Sequence, residues 1–502
     1  MFVKRKRFAK TPGFLALGLV LALLAACAGP SGSPDGSIPE IGVLDPGFGQ
    51  DYDGDGTPDG WVFASLPGGH ARPEAAKLDG DGRIVVVGSS FLDTDGGWRM
   101  TLWRFTPAGA PDLTFGQDYD GDGTPDGYVR FAHPDVSESG GLDLAITGSR
   151  IYVTGYLVRS TGTDGMDLAV WSYKLDGSPD PYFHFPVPVL SEGRNFVYAH
   201  DAAGGGRAEA GQAILVDGND IYVAGYSEDP SFKNAMVVWN LTKEDIFINP
   251  ITYQHWVTDA TFATGGFLVD RPGDGDAAGN GIAYNYGFGG FYVVGKATGP
   301  SGTDDLAVWR VKPSGELASD FPGPGLQEAF LHHDAAGGGA GDVGYAASKA
   351  GSSYLLVAGA SVAGPATATG VVWRLGSEGG VYQPLSGPPA ADPHAFGDGG
   401  QGWTLLGDPD AGVQVANVLA YDGNQGFIFV GGYRGLLAAE AVFWALDPNG
   451  KLARRSAFSQ GDFLYAFPEA LLRDNDSGTL TAVLRVARAS GGQEGLVLLR
   501  YR

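Results

Sequence analysis

Two stretches of this 502-residue chain read FGQDYDGDGTPDG, one beginning at Phe48 and the other at Phe115. In the first, Asp51, Asp53, Asp55 and Asp59 take positions one, three, five and nine of a loop, with Gly56 at six and the Thr57 carbonyl at seven. Asp118, Asp120, Asp122, Gly123, Thr124 and Asp126 repeat the arrangement. Alternate carboxylates along a tight loop converge on one point, where they repel unless neutralised. A hard cation needing about six to eight oxygens relieves that repulsion, so calcium is the expected cofactor. The competing reading is a pair of Asp-Gly turns that hold no metal. A third loop, residues 270–276, lacks the spacing and reads only as a turn.

These loops resemble the calcium loops of thrombospondin type 3 and EF-hand-like repeats. They depart from the EF-hand at position twelve, where Val62 and Val129 stand in place of a bidentate Glu. That departure implies a modest affinity or an extra ligand.

A second set of chemical groups recurs in GGHARPE, AHPDVSESGG, AHDAAGGGRAEAG and HHDAAGGGAGD. It brings His70, His133, His200 and His333 to similar places in a repeat, with Asp135, Asp201 and Asp334. Asp95, Asp164, Asp167, Asp304 and Asp305 come from turns expected on the same face. Loops on a rigid scaffold commonly carry function, so these groups are candidates for a site that takes a metal, sugar or peptide. The alternative is that they end a strand and hydrogen-bond its loop, a duty repeated because the unit is repeated. No serine elbow, phosphate loop, dinucleotide fingerprint or zinc helix signature is present.

The elements that position these groups form a repeat. Gly88, Gly155, Gly225, Gly295, Gly359 and Gly432 each end a short apolar run, and Leu484 takes that place in a seventh unit. Trp103, Trp171, Trp239, Trp309, Trp373 and Trp444 follow, with Leu499 in the seventh. Tryptophan spacings of 68, 68, 70, 64 and 71 residues suit a four-stranded unit. Runs such as IYVTGY and FYVVGK are β-branched and aromatic, and too short for helices. The tryptophans read as packing between sheets and the glycines as bulges or close approaches.

Residues 45–65 hold only the second half of a unit, and residues 480–502 only the first half. An open stack would leave both with bare edges, whereas a ring lets them pair. The expected fold is therefore an all-β, seven-bladed β-propeller of four-stranded antiparallel blades. Residues 61–65 should pair antiparallel with residues 495–501.

The pattern DGRIVVVG, LWRF, then PDLTFG in residues 79–116 resembles the delta-60 repeat family of β-propeller-like proteins. Asp79, Gly80, Gly88, Arg104, Asp112, Phe115 and Gly116 sit on its signature positions. Units three to six are expected to lose the Phe-Gly element. The resemblance implies the fold and assigns no activity.

Residues 1–26 read as a signal peptide, with Lys4, Arg5, Lys6, Arg7 and Lys10 ahead of an apolar run. Leu24-Ala25-Ala26-Cys27 resembles a bacterial lipobox, in which the cysteine is lipidated. Residues 27–43 would then form a tether, and residues 44–502 the propeller. Cys27 is the sole cysteine, which excludes an internal disulfide. Cleavage before it would take the formal charge from −24 to −29, a surface that disfavours nucleic acid and favours divalent cations. The expectation is a monomeric, extracytoplasmic, lipid-anchored module in a bacterial envelope, on the outer membrane if there are two. It would bind an envelope protein or glycan. The alternative is an enzyme, a polysaccharide lyase or hydrolase, using the His and Asp groups.

Overall fold

The computed structural model describes residues 41–160, 165–183, 195–248, 251–272, 275–285, 289–299, 302–318, 330–332, 335–337, 341–351, 354–364, 367–376, 396–397, 401–407, 412–435, 438–489 and 492–502. The β-branched runs form seven antiparallel sheets. Blade one is typical, running Gly69–Leu78, Ile84–Leu92, Arg99–Phe105 and Tyr128–Arg130 from the innermost strand outward. Blade seven takes Phe463–Arg473, Leu480–Arg488 and Glu494–Tyr501 from the end of the chain and Trp61–Ala64 from its beginning. The register places Trp61 opposite Leu499 and Ala64 opposite Leu496. The protein is a seven-bladed β-propeller closed by this pairing. Its blades are four-stranded except the third, where the long strand Asn234–Ile248 pairs with both Phe267–Asp270 and a further strand, Ile251–Thr258.

Among the described residues, seven apolar clusters fill the seven blade interfaces. Each repeat tryptophan packs toward the preceding blade: Trp171 with Val87 and Met100, Trp239 with Val170, Trp373 with Val294 and Leu306. Burying a large aromatic at an interface adds a large apolar contact there. Between blades six and seven Leu499 holds that place, and Phe443, Phe458 and Tyr501 make up the volume. Ile41, within the span read as tether, is buried in the same cluster.

The recurring glycine has a steric cause. Every innermost strand carries a β-bulge, and opposite it sits the recurring glycine of the next strand in six blades and Leu484 in the seventh. A Cβ on Gly88, Gly225 or Gly432 would stand 1.9 Å from a carbonyl oxygen of the innermost strand. A bulge leaves one residue out of the ladder and re-aims its side chain. Around the ring the unpaired residues are Glu74, Leu142, Gln212, Asn280, Tyr345, Asn417 and Glu469.

The signature Arg, Asp and Phe-Gly residues staple neighbouring blades. Arg104 pairs with Asp112 at 2.7 Å, both buried, and lies over the Phe115 ring at 4.6 Å. Gly116 donates its N–H to the Asp176 carbonyl of blade two. Gly49, Ala263 and Gly397 donate in the same way to Ala108, Ser314 and Asn449. The expected loss of this element in units three to six is therefore corrected for units three and five. Unit five keeps Phe396-Gly397, and unit three keeps Phe262 with Ala263 in the glycine's place, at φ 47°.

Candidate functional site

The second aspartate loop joins the third strand of blade one to its outermost strand, and the first leads into the outermost strand of blade seven. Their internal bonds match. Asp51 accepts the N–H groups of Gly54 and Gly56 at 2.7 and 2.8 Å, and Asp59 accepts that of Tyr52 at 2.7 Å. Asp118 accepts from Gly121 and Gly123, and Asp126 from Tyr119. Glycine is needed at the turning points, since Gly54, Gly56, Gly121 and Gly123 all have φ between 79° and 93°. The Gly56 N–H above all holds the Asp51 carboxyl below its usual pKa, and the Gly123 N–H does the same for Asp118.

The loops bring together Asp51, Asp53 and Asp59, and in the second copy Asp118, Asp120 and Asp126, with one carboxylate oxygen from each residue within 4.8 Å of the others. Both triads could hold a metal ion. The donor set suits a hard cation, being all carboxylate oxygen, with two of the three residues in each triad exposed and the third half-buried. Asp55 and Asp122 stand outside the triads and accept the N–H groups of Thr57 and Thr124 at 2.7 and 2.8 Å.

Each loop is latched to the outer edge of its blade by a tyrosine. Tyr52 stacks on Trp61 at 4.1 Å, and its hydroxyl accepts the Phe63 N–H at 2.9 Å. Tyr119 stacks on Tyr128 at 4.8 Å and accepts the Arg130 N–H at 2.8 Å. These N–H groups belong to outermost strands, whose edges would otherwise be open to pairing.

The described histidines are engaged within or beside their own blades. His70 Nδ1 accepts the Glu494 N–H at 3.1 Å. His133 Nδ1 accepts the Asp135 N–H at 3.2 Å, and its ring meets Phe196 edge-on at 5.2 Å. His200 Nδ1 lies 2.7 Å from Asp167, whose other oxygen takes Arg159 at 2.8 Å. Asp201 sits at φ 70° and accepts the Gly206 N–H. Asp95 pairs with Arg130, and Asp304 with Lys296 at 2.7 Å. Cys27, Asp164, His333 and Asp334 lie outside the described residues.

His70, His133 and His200 do not line the central cavity. That cavity, about 560 Å³, is walled by all seven innermost strands. Its lining starts at the seven bulge residues and continues along each strand, as from Glu74 to Lys77 and from Glu469 to Leu471. It therefore occupies the half of the channel that runs toward the first turn of each blade, the face that also carries the aspartate loops. Sequence reading looked to the opposite face. The available signal was the residue 13 to 15 positions before each recurring glycine, or before Leu484 in the seventh unit.

On one side of the cavity, Arg485 approaches both Glu469 (Nε to Oε1, 3.1 Å) and Glu74 (Nη1 to Oε1, 3.8 Å). Burial, reinforced by the Glu74 charge, pushes the Glu469 carboxyl well above its usual pKa against the pull of Arg485. Burial also raises Glu74. Behind them Arg72 pairs with Glu494 at 2.6 Å, and the Tyr465 hydroxyl donates to the same carboxylate at 2.6 Å.

No protein-family model matches the sequence, and no curated protein does. Among solved structures the chain is similar to Trypanosoma rangeli sialidase in complex with sialic acid, at 11% identity and TM-score 0.38, over 71% of this chain and 53% of that one. It thus spans about half the length of the sialidase chain. It is also similar to a glucose dehydrogenase, at 13% identity and TM-score 0.34, over 87% of this chain and 99% of that one. A third similarity is to RS223-β-xylosidase, at 12% identity and TM-score 0.29, over 71% and 90%.

Proposed function

We propose that the chain is a cell-envelope lipoprotein of the delta-60 repeat type, whose propeller is a calcium-stabilised, non-catalytic binding or assembly module. The observation that carries this reading is the pair of latched aspartate triads. Calcium held by Asp51, Asp53 and Asp59 would fix the loop whose tyrosine covers the outer strand closing the ring. The second triad would do the same for the neighbouring blade. An ion that binds the folded state and not the unfolded one stabilises by mass action. The partner would be an envelope protein or glycan, met by a monomer tethered through Cys27.

The alternative, an extracytoplasmic lyase or hydrolase working through His and Asp residues, has less support. A general base needs a free nitrogen within reach of substrate. His70 and His133 each accept a backbone N–H at Nδ1, Asp167 orients His200 through Nδ1, and none of these three rings lines the central cavity.

Two measurements test the proposal. Calorimetric titration should detect two calcium sites, and chelation should lower the melting temperature. Separately, Cys27→Ser should release the protein from the membrane fraction with its fold intact. A flat titration with no melting shift at millimolar calcium would remove the metal from the reading. Retention of a signal-cleaved Cys27→Ser protein on the membrane would remove the anchor.

A further inference from the structure

In an outermost strand, the residue three places beyond the partner of the repeat tryptophan packs toward the next blade. It is Phe131 between blades one and two, Leu406 between five and six, and Phe458 between six and seven, each buried with the tryptophan or leucine of the following blade. Ala199 takes the place between blades two and three, where Phe183 and Trp256 fill the same cluster. Between blades three and four it is Asp270, which accepts the Trp309 indole N–H at 2.6 Å. Between blades seven and one the register puts Ala64 there, which neither fills the space nor offers a side-chain acceptor.

A cavity of about 390 Å³ opens beside Ala64, with Leu66, Leu92 and Phe105 among its apolar walls. That volume falls in the range of small-molecule pockets. Trp103 lines it and is only 4% exposed, and among the described residues nothing accepts its indole N–H. The indole nitrogens of Trp171 and Trp444 are closed off from solvent, whereas that of Trp103 is not. A donor buried in this way is costly to leave unmet, and one open to a cavity can be met from it. Tyr119, Tyr128, Asp120 and Asp126 complete the lining from the second aspartate loop and the strand that follows it.

The lining selects the occupant. The indole and the two phenols offer donors, and the apolar walls take a non-polar face. Asp120 and Asp126 belong to the triad that suits a hard cation. With one oxygen from each aspartate, several of the roughly six to eight places about calcium remain to be filled. Asp118, Asp120, Asp122 and Asp126 together outweigh one divalent ion, and no lysine, arginine or histidine lines the cavity, so an anion would be repelled. Arg130, whose charge reaches both tyrosines, is already paired with Asp95. An amine would compete with calcium for the same carboxylates. We infer that the gap between blades seven and one is a calcium-dependent binding site for a neutral sugar. Its hydroxyl oxygens would fill places about the calcium and accept the Trp103 N–H, while the apolar face of its ring lies against the walls. The inference deepens the binding-module proposal and rests on its calcium reading.

The test uses the full-length protein in millimolar calcium, titrated separately with glucose, galactose, N-acetylglucosamine and xylose, and with putrescine as the cationic comparison. Saturation-transfer NMR and calorimetry report binding. At least one sugar should bind, and chelation, at a temperature where the protein stays folded by circular dichroism, should weaken it about tenfold or more. Ala64→Leu should abolish sugar binding and keep both calcium sites, since leucine already holds that place between blades five and six. Trp103→Phe, which keeps an aromatic ring without the N–H, should weaken binding about tenfold. Leu452→Ala, at an exposed site on blade six, should bind as the parent does. If no sugar binds, the gap holds only water and the inference is overturned. Putrescine binding alone overturns it in favour of an amine site. Sugar binding that survives chelation, or that survives both Ala64→Leu and Trp103→Phe, places the ligand elsewhere and overturns it too. Two calcium sites beside a sugar-inert gap would sink this inference and leave the proposed function standing. A flat calcium titration, made before any sugar is added, would remove the calcium reading itself.

Discussion

Arg500, two residues from the end of the chain, lies over the ring of Phe48 with its guanidinium carbon 4.4 Å from the centroid. Its Nη1 also donates to the Pro107 carbonyl at 2.6 Å, so one side chain ties the last strand to the first loop and to blade one. Arg104 over Phe115 repeats the arrangement one blade on. The backbone follows suit, with Asp45 N–H bonded to the Arg500 carbonyl and Arg500 N–H to that of Gly60.

Phe48 is fully buried at this junction, so Phe48→Ala should cost about 3–5 kcal/mol. Urea unfolding checks the value, and Phe115→Ala gives the comparison within one continuous stretch of chain. A cost at Phe48 under about 1 kcal/mol would mean that the ends contribute little to closure.

Ala263 occupies a left-handed conformation where Gly49, Gly116 and Gly397 stand in equivalent staples. A Cβ there costs roughly 1–2 kcal/mol. Ala263→Gly should therefore stabilise the protein, by about 0.5–1 kcal/mol after the added freedom of glycine in the unfolded chain is offset. A lower denaturation midpoint in the variant would contradict the strain.

The tyrosine latches make calcium and edge protection separable. Tyr52→Phe keeps the stack on Trp61 and loses the bond to the Phe63 N–H, at a cost of about 1 kcal/mol. Asp53→Asn with Asp59→Asn should remove one of two calcium sites, and Asp120→Asn with Asp126→Asn the other. Calorimetry reads the stoichiometry directly, and two sites persisting in either double variant would place the ion elsewhere.

Glu469 gives stability a pH dependence. Its folded carboxyl titrates above the unfolded one because it is buried beside Glu74, so the folded state binds the extra proton. Stability from this group is full below the ordinary Glu pKa and is lost as pH rises through the raised value. Arg485, Arg72 and Glu494 complete the charged surroundings, and Glu74, which burial also raises, titrates together with Glu469. Glu469→Gln should raise the melting temperature more at pH 8 than at pH 4, a difference that scanning calorimetry would resolve. An equal shift at both values would show that burial leaves this carboxyl untouched.

The ring was legible in the sequence because its signals are local or periodic. The glycine that must face a bulge, the tryptophan that fills each interface and the half-units 45–65 and 480–502 needed no knowledge of the third dimension. The aspartate triads were legible for the same reason, since their carboxylates fall within nine residues. Asp55 and Asp122, also expected as ligands, stand outside the triads and accept the N–H groups of Thr57 and Thr124. Phe262-Ala263 and Phe396-Gly397 were missed as staples, because Ser314 and Asn449, which accept from Ala263 and Gly397, stand about fifty residues away. The cavity was beyond sequence reading altogether. Glu74 and Glu469 are 395 positions apart, and only the closing of the ring sets both against Arg485. Periodicity fixes which residue of each blade leaves the ladder. What those seven side chains make together is decided by the circle that brings them face to face.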